Sequence, residues 1–377
     1  MAAAEMNLYI YNTSFSLIAI VDKYISLIWT DRYDDCGDFE LSLPYESKWK
    51  SVFKKDYFCK IDFSDHWCLI EKIEIDKDED NAATMIVSGR SIESILERRV
   101  VIGKKEFGTD EKEVSVQNSI KTLMNENFIS PSNSKRKISN FTFSESSASA
   151  VTGLKFADSY EGQDILSIVT GVCQDKHIGF KLLLDSSNNF VFSLYAGKDR
   201  SQSSNSTGYV IFSPYYDNLI TSNYYSSSEE YRNLMVVCYE ENKYYRVYTS
   251  DSEPSGLSLR EVYEDASSLE DYDTDMEVSD KKLIMTKSSS SGKSEKDRLK
   301  SKAKKKLKRE YKIKTGFEGD IIPEKMYKYR TNFNTGDKVQ FQDAYGNSER
   351  VYISEVVISM DENGLVILPT FAEIDWE

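Results

Sequence analysis

The chain reads as an α+β protein, mainly β, with small β-units at its two ends and mixed α/β stretches between them. Three observations point there. Among 377 residues there are 25 Tyr and 18 Phe, types that favour half-buried pleated surfaces. Apolar and polar residues alternate with a period of two in the first hundred residues, and turn-bounded strand patterns return in the last forty. Between them lie two apolar stripes at helical spacing.

Residues 1–100 read as an N-terminal β-barrel domain. Two apolar runs lie between 14 and 33, the second alternating partly around Ile25, Leu27 and Trp29. Asp34-Asp35-Cys36-Gly37 then makes a turn, after which Phe39, Leu41 and Leu43 alternate with Asp38, Glu40 and Ser42. That alternation puts one face in a core and the other in water, until Pro44 ends the ladder. Further strands are predicted at 58–61, 67–75 and 84–88. Gly89 breaks the pattern, and Ser91 is placed as the N-cap of a short helix containing 94–96. Several strands closed by one helix suggest a small barrel.

Residues 101–208 read as a mixed α+β domain. Val116, Ile120, Leu123, Met124 and Phe128 recur at helical spacing, with Pro131 beyond the stop. Ile165, Leu166, Val169, Val172 and Cys173 form a second stripe that ends before Gly179. A hairpin follows, FKLLLD and FVFSLYAG around a turn at 186–189. Residues 209–292 read as a Tyr-rich β domain with strands at 233–239 and 244–249, an acidic tract at 261–280 and a Ser-rich linker at 288–292. Residues 293–377 carry a basic helix, then a C-terminal β-unit with turns at Gly336-Asp337, Tyr345-Gly346-Asn347 and 361–364. In the helix Leu299, Ala303, Leu307 and Tyr311 fall every four residues. It carries twelve Lys or Arg against three acids over 293–314, so its Lys faces are expected outward, paired with acidic neighbours or lining an interface.

The net charge of −14 disfavours general nucleic-acid binding, which needs a basic face to release counterions from phosphate. No apolar run approaches the roughly 20 residues that cross a bilayer, so no membrane insertion is expected. The start lacks a signal peptide's basic region and apolar core. Its first five residues fit a start-site extension before Met6. Cys36, Cys59, Cys68, Cys173 and Cys238 are odd in number and form no CxxC pair, which predicts buried, reduced thiols.

Candidate chemistry is sparse. His66 sits beside Trp67 in a strand pattern, and His177 sits at a helix end, where the helix dipole favours an imidazolium without any catalytic purpose. The acids Asp271, Asp273 and Asp275 resemble a calcium loop only loosely, because the Gly and the terminal Glu of that loop are missing. No catalytic, cofactor-binding or metal-binding residue is assigned, and no cofactor is expected. With 62 Asp and Glu, a carboxylate pair acting on a glycan stays open.

Five phrases occur in order along the chain: YDDCGDFELSLP (33–44), GRSIESILERRVVIG (89–103), FVFSLYAGKDRS (190–201), VIFSPYYDNL (210–219), and FNTGDKV with RVYISEVVISMDENGLVILP (333–369). Together they resemble the baseplate hub, or tail-associated, proteins of long-tailed bacteriophages and of phage-tail-like bacteriocins. The carrying residues are Gly37–Leu41 with Pro44, Leu96-Glu97-Arg98-Arg99, Gly197-Lys198-Asp199-Arg200, Phe212-Ser213 with Tyr216–Leu219, and Gly336-Asp337-Lys338-Val339. The resemblance implies two small β-barrel domains, N- and C-terminal, with mixed α/β domains between. It also implies a homotrimer whose barrels make a pseudo-six-fold ring, joining the tail tube to a central spike or fibre. The implied partners are the tail tube or distal tail protein, the spike or fibre protein and the tape measure protein. The expected location is the virion tail tip or particle baseplate, after synthesis in the bacterial host cytoplasm. Many relatives continue into a peptidoglycan-cleaving or fibre domain, whereas this chain ends at Glu377, so a non-enzymatic structural role is expected. A tail-associated glycan-cleaving enzyme and a carbohydrate-binding tail module built on exposed Tyr remain the alternatives, and whether the parent tail is contractile stays open.

Overall fold

The computed structural model describes residues 6–374 except 78–82, 110–111, 203–207, 220, 222, 241, 267–299, 301–302, 305, 309, 319–320 and 323–325. Period-two alternation builds the large sheet. Strand Ser26–Arg32 pairs antiparallel with Asp38–Pro44, which pairs with Ala83–Arg90, which pairs with Lys72–Lys77. Leu27, Trp29, Phe39, Leu41 and Leu43 all face inward and are buried, while Glu40 lies outside. On its other side Ser26–Arg32 pairs antiparallel with Ser348–Asp361, from Leu27 opposite Met360 to Arg32 opposite Glu355. The long strand also forms a hairpin with Gly364–Glu373 and pairs with Lys338–Gln342, beside which Ile211–Phe212 lies parallel. Eight strands thus make one sheet that runs from the first β-unit to the last.

One apolar core follows from that sheet. It joins Leu27, Trp29 and Phe39 to Val339, Phe341 and Ile358. The sheets do not close into the two barrels expected: among the described residues none closes on itself. The physical reason is that Ser26–Arg32 finds its second neighbour at the far end of the chain rather than within its own unit.

A second core is helical. Ser115 accepts from the Asn118 amide and caps helix Val116–Met124, which continues into a π-helical turn, Asn125–Ile129. Helix Ile165–Lys176 packs its Ile165, Val169 and Cys173 stripe against hairpin Gly179–Leu184 and Phe190–Tyr195. Strand Phe141–Ser144 adds to that hairpin in parallel. His177, not a glycine, takes the left-handed position that ends the helix. Ser91 is the N-cap of the short helix expected there, its carbonyl accepting from the Ser94 amide at 2.9 Å. Its hydroxyl accepts from the Gly37 amide at 2.9 Å, and the segment after it is the 3-10 helix Ile92–Arg98.

A third, smaller core lies under the three-stranded sheet Lys243–Tyr248, Leu234–Glu240, Glu261–Asp265. Ala303 and Leu307 of the basic helix are buried there, with Tyr311 packed alongside. The Lys faces are not all outward. The Lys306 side chain is only 9% exposed and meets Glu264 at 2.9 Å, because the sheet under the helix carries that acid. Leu299, the linker at 288–292 and Asp271, Asp273 and Asp275 lie outside the described residues. Among the described residues no helix is long and apolar enough to cross a membrane. All five cysteines are buried free thiols.

Leu41→Asp puts an unpaired charge into the shared core, with an expected cost of about 3–5 kcal/mol and loss of soluble expression. Glu40→Gln, on the solvent side, is expected to leave the melting curve within about 0.5 kcal/mol of wild type. Equal damage from both changes in a thermal melt contradicts this face assignment.

Candidate functional site: a seam between distant segments

Four of the five phrases meet at one seam. Tyr33 ends the strand Ser26–Arg32 and is almost fully buried. Its hydroxyl donates to the His177 carbonyl and accepts from the Gly197 amide, both at 3.2 Å. Its backbone amide donates to the Ser354 carbonyl at 3.0 Å, and its carbonyl accepts from the Phe180 amide at 3.2 Å. One residue thus touches the first β-unit, the helix-hairpin unit and the last strands. The ring fits only because two neighbours lack side chains. A Cβ on Gly179 would fall 2.5 Å from the ring, and one on Gly336 would fall 2.1 Å from it.

Beside Tyr33 the Gly-x-Asp-Arg phrase docks on the Gly-Asp-x-Val phrase. A Cβ on Gly197 would fall 1.8 Å from the Gly336 carbonyl oxygen. The buried Asp337 carboxylate accepts from the Lys198 amide and from Arg200 Nε, each at 2.7 Å, and from the Asn334 amide at 3.1 Å. The backbone continues the contact: Lys338 donates to the Lys198 carbonyl and Arg200 donates to the Lys338 carbonyl. Arg32 ties the ladder itself, with Nη1 at 2.6 Å from Asp38 and Nε at 3.0 Å from Glu355. In the VIFSPYYDNL phrase, Asn218 accepts from the Ser213 amide and donates to the Ile211 carbonyl, holding a local turn.

Under the seam lies a buried charge network. Asp31 shares the inward face with Leu27 and Trp29, which is the sequence signal that marks it: an acid at a core position of a strand. Its carboxylate accepts from Trp29 Nε1 at 3.0 Å, from the Ser64 hydroxyl at 2.7 Å and from the Tyr329 hydroxyl at 2.8 Å. His66 Nδ1 lies 3.1 Å from Glu93 Oε1, which also accepts from the Leu182 amide at 2.8 Å. Burial opposes a charge on His66, but Asp31 and Glu93 outweigh it, and its pKa is pushed up from 6.5 to about 9. Burial alone would raise the Glu93 carboxyl, yet the His66 charge and the Leu182 amide hold it below its usual value. The raised pKa favours the charged imidazole beside the Glu93 carboxylate, a pairing that ties the two segments together. His177 contributes its carbonyl to Tyr33. Sequence reasoning placed both histidines as structural but missed Asp31 and Glu93 as partners.

These features define a mainly β scaffold whose sequence phrases are contact points between distant segments. The sequence profile of the siphovirus ReqiPepy6 Gp37-like protein family matches residues 7–371, and the chain belongs to that family. Its fold is similar to that of a 43 kDa tail protein of prophage MuSo2 from Shewanella oneidensis, with a TM-score of 0.58 and 13% identity, covering 98% of this chain and 97% of that one. A tail protein from Neisseria meningitidis MC58 gives 0.55 and 11%, covering 97% of each chain. Prophage tail protein gp18 from Listeria monocytogenes EGD-e gives 0.53 and 9%, covering 98% of this chain and 95% of that one. No curated protein sequence matches the chain. The resemblance to phage tail-associated proteins is thus borne out in family and in fold.

Two predictions follow from the seam geometry. Gly336→Ala combines a positive φ of 84° with a clash against the Tyr33 ring, and is expected to cost about 2–4 kcal/mol in urea unfolding. Gly346→Ala has a φ of 94° but open space around it, so backbone strain of about 1 kcal/mol is expected; equal costs would remove the Tyr33 clamp. Because the His66 pKa is raised on folding, its stabilisation is complete below pH 6.5 and is lost as pH rises through 9. Wild-type unfolding free energy is expected to fall by about 3 kcal/mol across that window. A His66→Gln variant with the same pH slope would show that the network carries no proton linkage.

Proposed function

We propose that this chain is the structural hub of a phage tail tip, assembled as a homotrimer around a lumen. The ladder between Ser26–Arg32 and Ser348–Asp361 carries this reading. It sets the hairpin of the first unit, Ser26–Arg32 with Asp38–Pro44, beside the hairpin of the last, Ser348–Asp361 with Gly364–Glu373. The order is hairpin, ladder, hairpin, with antiparallel pairing at the centre. Each chain then offers two β-units, open rather than closed into barrels, and three chains offer six. A ring of six such units fits a six-fold tube on one side, while the remainder of each chain keeps three-fold symmetry towards a spike or fibre.

The partners in this reading are the tail tube or distal tail protein, the spike or fibre protein and the tape measure protein, in a virion tail or a related injection particle. The four-part division at 100, 208 and 292 is kept with it, the two terminal parts meeting across the ladder. The role is mechanical rather than catalytic. The buried carboxylates Asp31, Glu93 and Asp337 are all engaged in hydrogen bonds that hold segments together, which supports it.

Static light scattering on the full chain, alone and with its tube and spike partners, tests the reading. A trimer mass in either state is expected, with a central lumen in negative-stain images; a monomer in the presence of both partners overturns it.

A further inference from the structure

The Leu-x-Arg-Arg phrase at 96–99 takes no part in the seam, and its last residue has an unusual neighbour. Arg99 follows the 3-10 helix Ile92–Arg98, and Arg136 ends the short 3-10 turn Ser134–Arg136. Arg99 Nε donates to the Arg136 carbonyl at 3.1 Å, and its Nη1 donates to the Arg98 carbonyl at 2.8 Å. Arg136 Nη2 donates to the Val100 carbonyl at 2.7 Å and to Asn127 Oδ1 at 2.6 Å. All four acceptors are neutral. Among the described residues no carboxylate lies within ion-pair distance of either guanidinium, and the buried Nε of Arg136 has no hydrogen-bond partner. Arg98 differs, because Asp56 meets it at 2.8 Å. The chain has 62 acids and 48 basic residues, so two adjacent guanidiniums without an acid stand out.

The pair is held in place from below. Phe128, fully buried, lies in the π-helical turn Asn125–Ile129 and stacks on Phe141 at 5.1 Å. The Arg99 guanidinium sits 6.0 Å from the Phe128 ring centre. Asn127, which fixes Arg136, is itself buried and donates to the Leu123 carbonyl at 2.9 Å. Turns of this kind inside helices recur at functional sites. Burial, together with the charges of Arg136 and Arg98, lowers the Arg99 pKa, so the grouping costs energy that a bound anion would recover.

We propose that Arg99 and Arg136 form an oxyanion site that takes a side-chain carboxylate of an acidic polypeptide partner. The pair suits one carboxylate because each guanidinium can give it a charged donor: among the described residues Arg99 Nη2 and Arg136 Nη1 make no hydrogen bond. A polypeptide is favoured over a free ion because exposed apolar residues flank the site. Val100 is 43% and Ile102 77% exposed beside Arg99, and they offer contact to the residues on either side of a partner's acid. Lys135 and Lys137, both exposed next to Arg136, add long-range attraction. The assignment does not depend on the hub reading.

The test is fluorescence polarisation with the full chain and a fluorescein-labelled peptide alternating Glu and Leu. Saturable binding that weakens as salt is raised is expected. Arg99→Gln with Arg136→Gln is expected to weaken it at least about tenfold, as loss of a bidentate charged contact does. Arg98→Gln, whose charge is already paired with Asp56, is expected to change it less than about twofold. Should Arg136→Gln fail to fold, Arg99→Gln alone decides, since that half-exposed side chain bonds only to two backbone carbonyls, of Arg98 and Arg136. Absence of peptide binding at low salt, binding unchanged by Arg99→Gln, or binding of inorganic phosphate without peptide each overturns the proposal.

Discussion

Six cross-strand pairs between Ser26–Arg32 and Ser348–Asp361 join the two ends of the chain, and the core, the seam and the buried charges all rest on that junction. Arg32 and Glu355, which pair across it, are 323 residues apart. Closing a loop of that length costs roughly 5 kcal/mol of chain entropy beyond a constant, because the cost grows only with the logarithm of length. Burying one Leu, Ile or Phe contributes about 1.5–3 kcal/mol, and the shared core holds many, from Leu27 and Trp29 to Ile358. Burial therefore wins over loop entropy by a wide margin. The kinetic consequence is less favourable, since contacts between chain ends form late and slowly.

Packing alone does not specify which distant segments meet, because apolar surfaces are interchangeable within about the right volume. The polar seam supplies that specificity. Tyr33 needs two residues without side chains and two backbone partners at set positions, and Asp337 needs three donors from two separate segments. Asp31 and Glu93 add buried carboxylates that gain hydrogen bonds when Tyr329 and Leu182 arrive. A misdocked arrangement would leave those groups unpaired, at a cost of several kcal/mol each.

A joint of this kind holds distant segments in one register. Ionic and hydrogen-bonded contacts at fixed geometry tie the segments of the seam, whereas among the described residues the third core under the basic helix is apolar, built on Met235, Val237, Ala303 and Leu307.

Much of the local structure was legible in the sequence. Alternation at Phe39, Leu41 and Leu43 marked a strand, spacing at Val116, Ile120 and Leu123 marked a helix, and the hairpin after Gly179 was bounded by its own turn. These succeed because period and turn chemistry are short-range properties of the chain. The five phrases pointed to the right family, yet their purpose was hidden. Gly336 and Gly197 look like ordinary turn residues until the Tyr33 ring and a neighbouring carbonyl are placed against them. Ser91 is the N-cap that the sequence marked, but its hydroxyl serves a donor 54 residues away, the Gly37 amide. Closure into two barrels failed for the same reason, since a strand edge carries no mark of which partner will fill it. Sequence by itself determined the elements, the faces they bury and the family. Tertiary structure alone decided which edges pair and which charges meet, because backbone hydrogen bonds and apolar surface are generic until geometry selects between them.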